Sequence, residues 1–309
     1  MKTLSFCYSH RAVKVSDSSC NSRRRPLISR LLKSSSQTQS SVQNSVSCVY
    51  KSELSSSDKK LLITLTWTND VVRRGFDVEF VDGRSTRDSE VRKSKGYTLF
   101  DFNGAKIELF WNLSEAEYDN SCEPCRKFYL VIAVDAELCL KLGDTFDSDE
   151  TVTEIEKSLK IAKTVYFIRR ERFSGNTFYT TSAKFCEDGA HHEIVIKCVK
   201  ENDGSGAESP LLLVLVDGRK LVRVGNLVWN FRGSQTIFLD GLVVDVMWDV
   251  QEWLFDLGLG SRSGPSRAAV FLFRTRTGTD SRVWYEEKNL FGEHLEFSLV
   301  ICGGKKFQD

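Results

Sequence analysis

Apolar and polar residues change places along this chain with a period near two. From Ser47 onward a helical period is almost absent. Leu61, Ile63, Leu65 and Trp67 alternate with Leu62, Thr64, Thr66 and Thr68. Such a run suits a pleated, half-buried surface and cannot line one face of a helix. Similar runs recur at Phe76–Val81, Tyr97–Phe102, Lys106–Trp111, Phe128–Val134, Val165–Arg170, Phe178–Phe185, His192–Val199, Leu211–Val216, Leu221–Val228, Thr236–Leu239, Leu242–Trp248, Ala268–Thr275 and His294–Ile301. Between them Asp82-Gly83, Asn103-Gly104, Asp188-Gly189, Asp217-Gly218 and Asp240-Gly241 supply the dipeptide that tolerates positive φ in a tight turn. About fourteen short strands so spaced predict antiparallel sheets. Only Val152–Lys160, with Ile155 and Leu159 four apart, reads as a helix.

The expected fold is therefore all-β: an antiparallel β-sandwich, as one body over 46–302 or as two related halves over 46–145 and 160–302. The polar stretch Gly143–Thr153 serves as a linker or a long loop between them. Residues 1–45 are rich in Ser and Arg and read as a disordered tail, and 303–309 as a C-terminal tail. Residues 1–50 carry eight Lys/Arg against Asp17 alone, a charge of +7, so with +1 for the whole chain residues 51–309 sum to −6. That sign disfavours strong nucleic-acid binding by the body. No apolar run reaches the roughly 18 residues of a membrane span. The nine cysteines are an odd number scattered through apolar strands, which fits a reducing compartment, cytoplasmic or nuclear, better than a disulfide framework. An Arg- and Ser-rich, acid-poor N-terminus also allows a plastid or mitochondrial transit signal.

An internal echo organises the strands. Lys106 to Glu115 aligns with Val243 to Glu252, which sets Trp111 on Trp248, Glu108 on Asp245 and Asn112 on Asp249. Upstream of each block lies Val-Asp-Gly-Arg, at 81–84 and 216–219. Matching blocks in matching order indicate a duplicated sandwich or two symmetry-related halves of one sheet system.

Chemistry is harder to find. Glu108, Glu115 and Glu117, with Asp245, Asp249 and Glu252, could supply paired carboxylates for glycoside hydrolysis. Asn112-x-x-Glu115 and Asp249-x-x-Glu252 also fit a capping box that opens a short helical turn, and that reading is preferred. Cys122-Glu-Pro-Cys125 has metal-like spacing but no second pair, so it reads as a loop with two thiols. Adjacent His191 and His192 face opposite sides of a strand, and no metal or cofactor site is expected. Gly204-Ser-Gly206 is a linker. Core packing is the preferred reading of Trp229 and Phe231. If a ligand binds, the expected surface is Arg219, Trp229, Arg232 and Trp253, where aromatic and basic residues interleave near turns.

Ser47-Cys-Val-Tyr50, Leu65-Thr-Trp-Thr68, Phe110-Trp-Asn-Leu113, Phe128-Tyr-Leu-Val131, Leu142-Gly-Asp144, Phe178 to Phe185, His192-Glu-Ile194, Val216-Asp-Gly-Arg-Lys220, Trp229-Asn-Phe-Arg-Gly233, Val246-Met-Trp-Asp-Val250 and Trp253-Leu-Phe255 together resemble the plant-specific domain of unknown function 868 family. The resemblance spans about residues 46–301, with Val13–Ser22 similar to that family's N-terminal stretch. It implies a plant protein but no activity, substrate or catalytic residue. Residues His192 to Leu221 also resemble the Asp-Gly-Lys hairpin of jelly-roll or concanavalin-like folds. The acidic strand of the related glycosidases has no counterpart here. The expectation is a non-enzymatic binding or interaction module for a protein or glycan, with a carbohydrate-active enzyme or glycan-binding protein of concanavalin-like fold as the alternative. A scaffold regulated by phosphorylation of its Ser-rich tail is a third reading.

Overall fold

A computed structural model describes residues 41–57, 59–69, 75–83, 85–145, 158–175, 178–186, 189–202, 208–251, 268–276 and 296–304. Their elements are strands: β1 (Val42–Glu53), β2 (Lys60–Thr68), β3 (Phe76–Asp82), β4 (Ser85–Val91), β5 (Lys95–Phe102), β6 (Ala105–Asn112), β7 (Glu117–Tyr118), β8 (Pro124–Arg126), β9 (Tyr129–Val134), β10 (Glu137–Gly143), β11 (Lys160–Ile161), β12 (Lys163–Ser174), β13 (Phe178–Ala183), β14 (His192–Asn202), β15 (Glu208–Val216), β16 (Arg219–Val224), β17 (Arg232–Leu239), β18 (Leu242–Asp249), β19 (Ala268–Arg276) and β20 (Ser298–Gly304). Among the described residues no helix is long and apolar enough to cross a membrane.

A nine-stranded sheet runs β17-β18-β19-β20-β12-β1-β2-β3-β4, a five-stranded sheet β11-β10-β9-β6-β5, and a four-stranded sheet β13-β14-β15-β16; β7 and β8 form a separate hairpin. Every pairing is antiparallel except β12–β20 and β10–β11. Most neighbours in a sheet are consecutive in the chain, the order of successive meanders. A jelly roll instead interleaves strands through Greek-key crossings.

Alternation positions the core as the sequence dictates. In β2 Leu61, Ile63, Leu65 and Trp67 are buried, and with Phe76 and Phe80 they meet Ile107, Leu109, Leu130 and Ile132 of the five-stranded sheet in one apolar cluster. A second cluster joins Ile194, Ile196, Leu212 and Val214 of the four-stranded sheet to Val244, Val246, Phe271 and Phe273. Strand β12 belongs to both regions: Tyr166 packs against each cluster, and Phe173 lies inside the second.

Three expectations need correction. Strands extend past both expected tail boundaries: Val42–Ser45 lie in β1, where Gln43 pairs with Phe173 and Ser45 with Thr68, and Gly303 and Gly304 lie in β20, paired with Phe173 and Ser174. Residues 1–40 lie outside the described residues, as do 152–157 of the expected helix Val152–Lys160, of which Ser158 is helical. Its last residue, Lys160, is a strand residue paired with Glu137. Third, Asn112 caps no helix: its Oδ1 accepts the backbone N–H of Ser114 at 3.1 Å in an Asx turn, in which a short side chain satisfies its own chain two residues on. Asp249 Oδ1 accepts the N–H of Gln251 at 3.2 Å, and Gln251 is helical; the residues after it lie outside the described ones.

The tryptophan echo is geometric as well as sequential. Gly96 faces Trp111 across β5–β6, and Gly233 faces Trp248 across β17–β18. Trp111 Nε1 donates to the carbonyl of Lys93 at 2.9 Å, and Trp248 Nε1 to that of Asn230 at 3.1 Å. Leu113 N–H reaches Ser94 O, and Val250 N–H reaches Phe231 O. The offset is 137 positions throughout, from Gly96 to Gly233, Lys93 to Asn230 and Trp111 to Trp248. In each copy an indole covers a glycine on an edge strand, and the glycine allows the close approach. A Cβ at Gly96 would lie 2.6 Å from the Trp111 ring, and one at Gly233 2.4 Å from the Trp248 ring. Gly96→Ala and Gly233→Ala are each expected to destabilise by about 1–2 kcal/mol in chemical denaturation, because the ring must leave its site. Wild-type stability in either variant would contradict the clip.

Candidate binding surface

The acids of the echo do not assemble. Glu108 lies on β6 in the five-stranded sheet and Asp245 on β18 in the nine-stranded sheet. Glu115 is exposed, with Lys127 as its charged neighbour, and each of the other described acids has a local partner. Glu108 meets Lys106 at 3.4 Å and accepts the Tyr97 hydroxyl at 3.3 Å. Glu117 pairs with Lys127 at 2.6 Å and Arg126 at 3.3 Å, and the Lys127 hydrogen bond and charge hold its carboxyl below the ordinary range. Asp245 takes the Arg276 guanidinium at 2.6 and 3.1 Å and the Thr236 hydroxyl at 2.7 Å. Glu252 lies outside the described residues. Carboxylates satisfied in this way hold strands together.

Among the described residues the buried thiols are not activated. Burial and the nearby Glu123 push the Cys48 thiol up to about 12. Burial likewise raises Cys122 to about 11 and Cys139 to about 12. A thiol so raised carries almost no thiolate near neutral pH. Cys122 and Cys125 point at different acceptors, Gln43 O and Glu117 O, each at 3.3 Å. Among the described residues no group of three His, Cys, Asp or Glu side chains is placed to hold a metal.

The loop between β16 and β17 is different. Residues Gly225 to Phe231 connect the two strands, where the first copy needs only Arg92, Lys93 and Ser94 between β4 and β5. Leu227 plugs the second core at 0% exposure, and its N–H bonds Pro210 O at 3.3 Å. Asn230 Nδ2 donates to Gly225 O at 2.9 Å, while Trp248 holds Asn230 O. Asn226 takes φ 49° so that its carbonyl can accept from Trp229 N–H and Asn230 N–H. Full burial of a leucine contributes about 1.5–3 kcal/mol, which outweighs the roughly 1 kcal/mol of a left-handed Asn. The anchored loop presents Trp229 at 85% exposure beside Val228.

This corrects the core-packing expectation for Trp229, whereas Phe231 is half-buried against the second cluster. Arg232, the first residue of β17, lies at the same end and clasps Asp249 at 2.6 and 2.9 Å. Arg219 is exposed at the opposite end of β16, beside the Asp217-Gly218 turn, so it does not join Trp229. Trp253 lies outside the described residues.

Over residues 41–305 the sequence matches the family described as plant protein of unknown function, DUF868. The chain belongs to this family. No curated protein and no solved structure matches it. The family's extent takes in Val42–Ser45 together with the rest of β1.

The DUF868 protein also carries a polar cluster that the sequence reading did not single out. Arg169 on β12 is largely buried, and its Nε donates to Glu171 at 2.5 Å and an Nη to Glu123 at 2.6 Å. Glu171, its side chain 0% exposed, also accepts the Thr181 hydroxyl at 2.7 Å and the Gln43 amide at 3.2 Å. Burial works against the guanidinium charge, yet Glu123 and Glu171 hold its pKa well above the ordinary value. Cys48 Sγ lies 3.7 Å from Arg169 and 3.6 Å from the Tyr166 hydroxyl. The signal available was the alternation Arg169, Glu171, Phe173. A bulge hid it: β1–β12 register shifts so that Val49 faces Ile168 and Tyr50 faces Tyr166, leaving Phe167 extra. An extra residue re-aims those that follow.

Proposed function

We propose that this DUF868 protein is a non-enzymatic binding module that engages a protein or glycan surface through the Gly225–Phe231 loop, with Trp229 as anchor and Arg232 beside it. Trp229 carries the reading, being built out into solvent by a loop that Asn226, Leu227 and Asn230 pin. A rigid, exposed indole offers large contact area at little cost in conformational entropy, the property of binding hot spots. Aromatic faces also stack on sugar rings, so both partner classes share the anchor. The proposal places the protein in the cytoplasm or nucleus, in keeping with strand cysteines that pack as thiols.

Trp229→Ala tests it. The side chain touches little, so the melting temperature is expected to stay within about 1 °C. Recovery of specific partners, or affinity on a glycan array, is expected to fall at least tenfold, on the order of a hot-spot loss. Partners retained equally by wild type and Trp229→Ala would refute the assignment.

A further inference from the structure

Between the two cores lies a cavity of about 930 Å³, walled by β12, β13, the β7–β8 hairpin and Phe297, the residue before β20. Sites for small organic molecules fall at about 300–1,000 Å³ and combine apolar walls with a few fixed polar groups. One wall is aromatic: the Tyr166 and Phe297 rings stand 5.5 Å apart, and Phe185 meets Phe297 edge to face at 5.9 Å. Another part of the lining is the polar cluster, with Arg169, Glu123, Gln43 and Thr181. Buried Glu171 stands behind Arg169 and fixes its plane.

The charges decide which ligand fits. Arg169 is already neutralised by Glu171 and Glu123. The described lining holds the acids Asp119, Glu123 and Glu193 against the bases Arg169 and Lys184. His191 also lines it, and burial, Lys184 and Arg169 favour its uncharged form. With Glu171 counted, negative charge is in excess, so a phosphate, sulfonate or carboxylate is disfavoured. Glu123 is an acceptor with capacity to spare, since a carboxylate offers about four lone-pair sites. Arg169 and the Cys48 thiol, the latter at 3.5 Å, engage one oxygen each.

We propose that this cavity binds a neutral, planar aromatic molecule bearing hydroxyl donors, a phenol in the simplest case. The ring lies against Tyr166 and Phe297, with Phe185 buried behind them, and the hydroxyl donates to Glu123.

The test uses the full chain and two probes with the same ring, 2-naphthol and naphthalene-2-sulfonate, titrated calorimetrically. The expected result is one site for 2-naphthol, with a dissociation constant on the order of 10–100 μM for so small a ligand. The sulfonate should bind at least tenfold more weakly. Cys125 and Cys186 are exposed and line the cavity, so saturating 2-naphthol should slow their alkylation by iodoacetamide. Glu123→Gln should reduce the preference for the phenol at least fivefold, whereas Trp229→Ala should leave it unchanged. Absence of saturable 2-naphthol binding overturns the proposal. So does a sulfonate that binds as well as the phenol, or wild-type alkylation rates at both cysteines under saturation. The alkylation and two-probe readouts need only the wild-type protein, so a poorly folding Glu123 variant does not remove the test.

Discussion

Arg169→Leu is expected to destabilise the protein by about 3–5 kcal/mol, the usual cost of stripping one partner from a buried ion pair. The guanidinium sits between Glu171 and Glu123, and Glu171 is wholly buried. Leucine would leave that carboxylate facing only the Gln43 amide and the Thr181 hydroxyl, which supply hydrogen bonds but no charge. The penalty comes from the stranded anion more than from the lost pair. The double variant Arg169→Leu/Glu171→Leu should therefore recover most of the loss, because an apolar replacement of both members is often close to neutral. Equilibrium denaturation of the two singles and the double decides it. A loss below about 1 kcal/mol for Arg169→Leu alone, or no recovery in the double, would mean that the cluster does not hold the region between the cores.

That region was the least legible part of the chain, for a definable reason. Period-two reading works where a strand keeps one register, as in β2, where Leu61 to Trp67 point inward on every second residue. In β12 the extra Phe167 changes the facing side midway, so a single alternation cannot describe both ends. Strand β4 escaped for a different reason. Ser85–Val91 buries only Val91, because it is the edge of the nine-stranded sheet and polar residues on both faces protect such an edge. Asn-Gly and Asp-Gly turns, by contrast, were legible: Asn103, Asp217 and Asp240 take φ of 49–50° ahead of Gly104, Gly218 and Gly241, whereas at Asp82-Gly83 only the glycine is left-handed, with φ 59°.

The exposed tryptophan illustrates a limit of another kind. Trp111, Trp248 and Trp229 are indistinguishable as residue types, and two of them serve as clips over glycine. Trp111 and Trp248 stand opposite Gly96 and Gly233 in a hairpin register, whereas Trp229 stands in a link between strands. Pairing partner, not hydrophobicity, separates core from surface here. The echo makes the difference visible, because the first copy joins β4 to β5 through three residues and has no counterpart of the Trp229 loop. A longer link in one of two matching blocks, anchored by its own leucine, is where a binding role can arise without disturbing the core.

His192 should make the fold sensitive to mild alkali. The side chain lies at the start of β14, with Nδ1 2.7 Å from Asp217 Oδ2 and Nε2 3.0 Å from Asp240 Oδ2. Carboxylates only accept, so both contacts are hydrogen bonds only when both ring nitrogens carry protons, that is, in the imidazolium. Burial opposes that charge, but the two aspartates outweigh it and raise the pKa above the ordinary imidazole value. The ring thereby ties the β15–β16 turn to the β17–β18 turn, since Asp217 and Asp240 are the left-handed residues of those hairpins. A raised folded-state pKa gives stability that is fully present below about pH 6.5 and is lost as pH rises through the folded value. Wild-type melting temperature should accordingly decline from about pH 6.5 upward as the imidazolium deprotonates. His192→Gln should remove that part of the decline and cost about 2–3 kcal/mol at pH 6, because two neighbouring carboxylates then face each other without a cation between them. Thermal melts of both proteins from pH 5.5 to 9 check the sign. A wild-type profile that stays level, or a variant that falls in parallel with it, would show that the imidazolium does not bind the two turns together.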